Sequence, residues 1–304
     1  MRKKSIYLFL ALIICLLVAV PIMAAVGGKR AKADTDGGMT EVTLWQIDGF
    51  EGGKGSRATF LKNIAEKCFG NEKTYITVVQ ITADAARENM ELGNIPEMIS
   101  YSAGFYGLEN RINSRDFAYK SWCNGAYLLL TCDENADFSD VSGQNTVINE
   151  GKDNLTDIAA LFCGVSGGAK VQPSGAYLNL INGKYKYLLG TQRDAYRLRT
   201  RGVDFKVKTV TQFNDLYQNV SILTKDGKKY DVCQRFIKYL CEKADVGRLG
   251  LFGNNSKLEM EELKEAANAQ FDLKLNYPCG KDFLDGLKAA AKDGDGNKIK
   301  ILLK

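Results

Sequence analysis

The stretch best suited to contact a ligand is a glycine-rich turn, residues 48–56, between a predicted strand and a predicted helix. Amide N–H groups and the dipole at the start of a helix can hold an anion or a polar ligand group. The glycine spacing of the turn fits neither a Walker A loop nor a Rossmann fingerprint. The turn is therefore either a plain connection or a ligand-lining loop, and in the second case Asp48, Glu51 and Arg57 would contact the ligand.

Aromatic residues at or near predicted strand ends form a second group: Trp45, Tyr101, Tyr106, Trp122 and Tyr127. In an open α/β sheet, the carboxyl ends of the strands face the ligand crevice. Rings presented there can stack on the C–H face of a sugar while nearby polar side chains bind its hydroxyls. Core packing explains each ring taken alone, but their repetition at equivalent points favours a sugar-binding role.

Three side chains that form hydrogen bonds, Gln192, Arg193 and Asp194, follow another apolar strand. They predict either a polar clamp on a ligand or a surface turn with a local ion pair. Asp48, Glu51 and Asp194 could supply a carboxylate pair for glycoside hydrolysis, but the sequence gives no distance between them. The chain has no histidine. This excludes Ser-His-Asp and Cys-His nucleophiles, histidine-ligated zinc and histidine general bases.

The elements that would position these residues alternate between strands and helices over the first hundred residues. Strands are predicted at 42–47 and 75–82, a turn into a third strand at 95–101, and helices at 56–68 and 83–92. This alternation indicates a parallel α/β sheet. Later elements are predicted at 126–132 (strand), 154–163 (helix), 177–189 (helix to strand), 205–210 and 220–224 (strands), and 231–243, 258–270 and 281–292 (helices).

Residues 1–33 are predicted to be a signal peptide or an N-terminal membrane anchor. Basic residues precede an uncharged, mainly apolar run, residues 6–26, which is long enough to span a bilayer. Residues 31–33 offer an A-x-A cleavage pattern, whereas without cleavage the run stays as an anchor. Lipidation at Cys15 is a third alternative, although no small residue precedes it. All three alternatives place the body outside the cytoplasm, at the cell surface or extracellular, after a linker at 34–40.

The net charge of +5 belongs to the N-terminus. Residues 1–33 hold six basic residues and no acidic residue, so the remaining 35 basic and 36 acidic residues leave a charge of −1. A nucleic-acid partner therefore has no electrostatic support. Seven cysteines follow Cys15 at scattered spacings without a C-x-x-C pair, which favours buried hydrophobes and leaves one bridge open. We predict no cofactor and no metal site.

Several segments share their order and spacing with a known family: residues 42–47 with the helix at 56–68, Asn94–Tyr101, Ser121–Tyr127, Asn182–Gly190, and 213–223 with the helix at 231–243. Asn94–Tyr101 is like the family's G-x-x-P-D-hydrophobic strand, and Asn182–Gly190 is like its G-K-x-A-M strand. From about residue 40 to the end, the chain resembles the extracellular solute-binding proteins of ABC importers, family 1, the group that includes carbohydrate binders. It departs from them in its shortened loops and in lacking a proper lipobox.

The resemblance implies an α/β, two-lobe, periplasmic-binding-protein-like fold with a hinge and an interlobe ligand cleft. Lobe one would comprise residues 41–118 and about 220–277. Lobe two would comprise about 119–219 and 278–304. By position, Tyr101 and Ser102 would line the cleft from lobe one, Trp122 would lie just past the first crossing, and residues 192–194 would line it from lobe two.

The function implied is capture of a carbohydrate, expected to be an oligosaccharide, and its delivery to an ABC permease by a monomer without catalysis. Two alternatives stay open on the residues alone. One is an extracellular carbohydrate-active hydrolase that uses Asp and Glu, and the other is a membrane-anchored sensing or adhesion module. Lys54, Arg57 and Arg193 also keep an anionic ligand open.

Overall fold

Two five-stranded sheets and the helices packed on them organise the chain. A computed structural model describes residues 38–50, 53–151 and 155–304. The predicted signal peptide or anchor, and residues 34–37 of the predicted linker, lie outside the described residues. Residues 40–304 form one compact unit.

The strands follow the chain as β1 (Thr40–Gln46), β2 (Thr74–Gln80), β3 (Met98–Ser102), β4 (Lys120–Asn124), β5 (Tyr127–Thr131), β6 (Thr146–Asn149), β7 (Ala169–Val171), β8 (Tyr187–Thr191), β9 (Lys206–Thr209), β10 (Phe213–Asn214), β11 (Tyr217–Ile222) and β12 (Leu273–Lys274). The α-helices are α1 (Arg57–Phe69), α2 (Ala83–Glu91), α3 (Thr156–Phe162), α4 (Pro173–Ile181), α5 (Gln192–Thr200), α6 (Gly227–Lys243), α7 (Lys264–Asn268), α8 (Lys281–Lys292) and α9 (Gly296–Leu303). Short 3₁₀ helices cover Val246–Leu249 and Glu261–Leu263.

The first sheet has the strand order β2-β1-β3-β11-β4. Strand β1 is parallel to both β2 and β3, and β11 runs antiparallel between β3 and β4. The alternation of strands and helices predicts this parallel core. The apolar residues of α1 that recur at helical spacing, such as Leu61 and Ile64, are buried. Ser56 begins that helix by accepting a hydrogen bond from the Thr59 amide.

The second sheet has the order β7-β6-β8-β5-β9. Strand β6 is parallel to β7 and β8, whereas β5 is antiparallel to β8 and β9. Strands β5 and β8 are buried along their whole length, because helices cover them. In each sheet the parallel strands therefore bring their carboxyl ends to one edge.

The chain passes from the first sheet to the second through Gly125 and Ala126, between β4 and β5, and returns between β9 and β11. The return segment carries β10, which pairs with β12. Tyr127 and Phe213 stack at 6.5 Å between ring centroids, so the outgoing and returning segments pack on each other.

Two details differ from the predicted lobe boundaries. Residues 120–124 were assigned to lobe two, but β4 pairs with β11 in the first sheet. Within the segment 220–277, the side chains of Met260, Leu263 and Phe271 pack with the second sheet's core cluster. The predicted helix at 258–270 is a 3₁₀ turn followed by the short helix α7.

All seven cysteines after Cys15 are free thiols, and three of them are buried. The bridge that the sequence left open is therefore absent from the described part of the chain. No helix among the described residues is both long and apolar enough to cross a membrane.

Candidate functional site

The candidate site lies where the carboxyl edges of the two sheets come together. Strands β1 and β3 end at Gln46 and Ser102. Just beyond them, Gly49 approaches Ser102 so closely that a Cβ atom on Gly49 would lie 1.7 Å from the Ser102 Oγ. A cavity of about 70 Å³ opens here, with Leu155 of the second lobe and Lys288 of α8 in its lining. Both lobes and helix α8 thus line one small cavity.

On the first sheet's side, Asp48 and Arg57 bind each other. The Arg57 Nη1 donates to Asp48 Oδ1 at 3.1 Å, and Gln46 Nε2 donates to the same oxygen at 2.9 Å. The other carboxylate oxygen accepts from Gln80 Nε2 at 3.0 Å. The Arg57 guanidinium also stacks over Phe50, 4.3 Å from the ring centroid. Two predicted site residues therefore lie together, as the ion pair that closes the turn after β1.

Below this pair, amide side chains leave polar atoms without partners. Gln218 of β11 donates to the Ile47 carbonyl at 2.9 Å and to Ser100 Oγ at 3.0 Å. Its Oε1, the Oε1 of Gln46 and the Nε of Arg57 are buried without a hydrogen bond. Most buried polar atoms in proteins are paired, so these three atoms mark a place where a polar partner would fit.

The second sheet's edge repeats this pattern. Asn149 at the end of β6 donates to Asp194 Oδ2 at 2.8 Å, and Gln192 Oε1 accepts from the Ala126 amide at 3.2 Å. The Oδ1 of Asn149 and the Nε2 of Gln192 are buried without a partner. Each sheet therefore carries unpaired amide groups at its carboxyl edge.

No family model matches the chain, and no curated protein matches it. Solved structures do. Iron-bound HitA from Pseudomonas aeruginosa aligns with 85% of this chain and 99% of its own, at 11% identity and a TM-score of 0.54. The spermidine/putrescine ABC transporter substrate-binding protein PotD from Streptococcus pneumoniae aligns over 87% and 100%, at 11% identity and 0.53. The maltose-binding periplasmic protein MalE from Listeria monocytogenes aligns over 87% and 97%, at 11% identity and 0.50.

The chain has the two-lobe periplasmic-binding-protein fold. This confirms the predicted fold class. The neighbours are named for iron, polyamines and maltose, so the fold does not select the carbohydrate group within the predicted family. Among the described residues, no group of three or more His, Cys, Asp or Glu side chains is arranged to hold a metal ion.

Within this fold, four of the five aromatic residues predicted to stack on a sugar lie in the cores, whereas Tyr106 is half-buried and lines the small cavity. Tyr101 is fully buried and its hydroxyl bonds Ser221 Oγ at 2.9 Å. Trp122 stacks on Phe60 at 6.0 Å and donates from its Nε1 to Ser100 Oγ at 3.0 Å. Trp45 is only 8% exposed. Alternate residues of a strand point to opposite faces of the sheet. Position near a strand end therefore does not determine whether a ring faces the core or a ligand.

Residues 192–194 form the first turn of α5, and not the surface turn that the sequence left open. Asp194 belongs to a capping box with Thr191, accepting from its amide at 3.1 Å, and pairs with Arg197 at 3.2 Å. Gln192 is buried, and Arg193 lines a groove beside the cleft. Glu51, the remaining predicted site residue, lies outside the described residues.

Asp215, the acidic residue of the return segment, is not among the residues that the sequence predicts for the site. Its Oδ1 accepts from the Tyr127 hydroxyl and its Oδ2 from the Leu155 amide, both at 2.7 Å. Burial raises the pKa of Asp215 to about 6, although these hydrogen bonds act in the opposite direction. The sequence signal for it is a carboxylate that stands between the apolar residues Phe213 and Leu216.

Proposed function

We propose that this protein is an exported substrate-binding protein of an ABC importer, which captures a small polar solute between its lobes and delivers it to a permease. The observation that supports this most is the set of unpartnered buried amide groups, contributed by both lobes at the carboxyl edges of their sheets. They are Gln46 and Gln218 on one side, and Asn149 and Gln192 on the other. The role is binding and not catalysis.

The physical reason lies in the cost of unpaired polar atoms. A buried donor or acceptor without a partner costs about 1–3 kcal/mol. A solute that carries hydroxyl groups can donate to the oxygens of Gln46, Gln218 and Asn149, and accept from Gln192 Nε2. Each hydrogen bond formed contributes about 1 kcal/mol net. Opening of the lobes about the crossings at 125–126 and 210–216 would admit the solute, and closure would surround it.

A carbohydrate remains the ligand class that we propose, since its hydroxyls both donate and accept. Ring stacking gives it little support, because Trp45, Tyr101, Trp122 and Tyr127 are buried and only Tyr106 among the predicted rings lines the small cavity. The unpaired amide groups are the main support for a carbohydrate ligand. Export, through residues 1–33, is part of the proposal as well.

Thermal shift of the full-length protein against sugars, sugar acids, sugar phosphates, amino acids, polyamines and ferric ion tests the function. A solute at 100 times its dissociation constant adds about 2.7 kcal/mol of stability, which is a shift of several degrees. We expect at least one solute to stabilise the protein and to be recovered chemically unchanged. Silence across the whole panel with a cooperatively folded protein would contradict solute capture, and turnover of a sugar would favour a hydrolase.

A variant pair ties the ligand to the amide groups. Gln46→Leu removes a buried amide at the cleft, whereas Gln144→Leu changes an exposed glutamine. We expect Gln46→Leu to weaken binding of the identified solute by about tenfold, the equivalent of one hydrogen bond of about 1.4 kcal/mol. Gln144→Leu should bind like the parent protein. Equal affinity of both variants for the solute would show that the amide groups are not part of the binding site.

A further inference from the structure

The outer strands of the two five-stranded sheets differ in the charge that they carry. Strands β4, β7 and β9 each hold at least one exposed lysine: Lys120, Lys170, Lys206 and Lys208. Lysine on an edge strand opposes pairing with another chain. The fourth outer strand, β2, has seven residues, and none of them is charged. The first sheet therefore has one long edge without the protection that the other three edges have.

The backbone of β2 offers hydrogen-bonding groups along this edge. At one end of the strand, the Thr40 amide donates to the Lys73 carbonyl at 2.9 Å. At the other end, the Ile81 amide donates to the Gln46 carbonyl at 3.0 Å. Since backbone groups alternate sides along a strand, the odd-numbered residues of β2 face β1, and the even-numbered residues turn their amide and carbonyl groups outward. No strand among the described residues pairs with that outer side.

Two apolar side chains are exposed at the same edge. Tyr75 is 52% exposed and Val79 is 37% exposed. With Thr77 between them, they share one face of β2, because side chains alternate with a period of two. Ile76 and Val78 point to the other face and are buried in the core cluster. An uncharged edge strand that exposes apolar side chains favours pairing with another strand.

Strand β2 is complementary to itself when a second copy of it runs antiparallel. A two-fold axis through Thr77 sets Tyr75 against Val79 of the second copy. The even-numbered residues then form the hydrogen-bonded pairs, each exchanging two bonds, about eight in all. Tyr75 and Val79 form the closer, non-hydrogen-bonded pairs, and an aromatic ring beside a β-branched residue is a favourable cross-strand pair. Lys73, the nearest charged residue, lies opposite Ile81, so no like charges face each other.

We infer that two copies of this chain join by antiparallel pairing of their β2 strands, which merges their first sheets into one continuous sheet. The interface is isologous, because the same strand supplies both halves. A second copy is the partner that fits, since one register pairs every outward backbone group of β2 and both exposed apolar side chains. The inference departs from the monomer that the family resemblance implies, and it does not depend on the proposed function.

Cysteine variants of the full-length protein test the register. In the paired strands, the two Cα atoms of residue 77 would lie about 4.5 Å apart, which a disulfide can span. Two copies of residue 75, or of residue 79, would lie about 13 Å apart, which is too far.

With diamide as the oxidant, we expect a disulfide-linked dimer from Thr77→Cys. Tyr75→Cys or Val79→Cys alone should give no more cross-linked dimer than the parent, whose thiols are the control, whereas a mixture of these two variants should cross-link. Absence of the Thr77→Cys dimer, or equal cross-linking by all three single variants, would overturn the inference.

Sedimentation equilibrium of the full-length protein in detergent measures the association. Tyr75→Lys and Val79→Lys place a charge on the edge, so we expect each to raise the dissociation constant of the dimer at least about tenfold. Leu178→Lys changes an apolar side chain of α4 that is 46% exposed, and as the matched control it should associate like the parent. All variants keep residues 1–33, so association through that segment would be the same in each.

A monomeric parent, or a dimer that neither β2 variant weakens, would overturn the inference. The thermal-shift panel decides the proposed function separately, because solute capture does not require the dimer.

Discussion

At the scale of single residues, Gly49 shows how closely the loops after β1 and β3 approach each other. Gly49→Ala would place a Cβ 1.7 Å from Ser102 Oγ and 2.1 Å from its Cβ. The loops must therefore move apart, and overpacking of this kind costs about 1–3 kcal/mol. We expect a lower free energy of unfolding in a urea titration. Gly227→Ala meets no atom within 4 Å and should leave stability nearly unchanged. Equal stability of both variants would refute the close approach.

Asp215 predicts a pH dependence at the same scale. Its pKa is about 6 when folded, against an ordinary value of 3.8, so between these values the folded protein binds the extra proton. The carboxyl therefore opposes folding most strongly above pH 6, and this opposition, about 3 kcal/mol, is relieved as the pH falls towards 4. We expect the difference in unfolding free energy between the parent and Asp215→Asn to vary across pH 4–6. The exposed Asp204→Asn serves as control, and a constant difference would show that Asp215 does not titrate there.

At the scale of elements, the stability of helix α5 depends on its N-terminal cap. The residue types permit this cap, but no clear sequence pattern indicates it. Thr191 accepts from the Arg193 amide, and Asp194 closes the capping box. Removal of an N-cap hydroxyl costs about 1 kcal/mol. We expect Thr191→Val to lose about this much stability in thermal and urea unfolding, and Thr191→Ser to regain most of it. If the serine variant were as unstable as valine, packing and not capping would be the cause.

Helices α1 and α5 show which elements of the fold can be predicted from the sequence and which cannot. Helix α1 follows a strand rich in β-branched residues and repeats apolar residues every three to four positions, so periodicity alone places it. Helix α5 (Gln192–Thr200) contains four charged residues. Because polar residues occupy both of its ends, the sequence does not reveal the short apolar face formed by the buried Ala195 and Leu198. Strand β4 was not predicted either. Neighbours that are distant in sequence bury its residues Trp122 and Cys123, so no local pattern indicates the strand.

The candidate site divides in the same way. Asp48 and Arg57 are close in sequence, so their pairing follows from a local turn. Gln218 and Asn149 reach the carboxyl edges of their sheets only because β11 and β6 are placed by long-range pairing. No residue pattern near either position signals this. The edge of each sheet could be predicted from the alternation of elements, but the side chains that face the other lobe could not.

At the scale of the whole molecule, the proposed function requires the lobes to move about Gly125. A Cβ at Gly125 would lie 2.5 Å from Gln192 Nε2, and Gln192 also accepts from the Ala126 amide. Gly125→Ala would therefore disturb the crossing and an amide of the site at once. We expect it to weaken solute binding by about tenfold, a loss comparable to one or two hydrogen bonds, whereas Gly227→Ala should bind normally.

Small-angle X-ray scattering measures the movement directly. Closure around a solute reduces the radius of gyration, so we expect the parent protein to become more compact when the solute found by thermal shift is added at saturation. Gly125→Ala, saturated with the same solute, should show a smaller change, and Gly227→Ala should behave like the parent. An identical radius with and without bound solute in the parent would contradict hinge closure. In that case the solute would bind to a preformed cleft, and the two crossings would hold the lobes in fixed positions instead of allowing them to rotate.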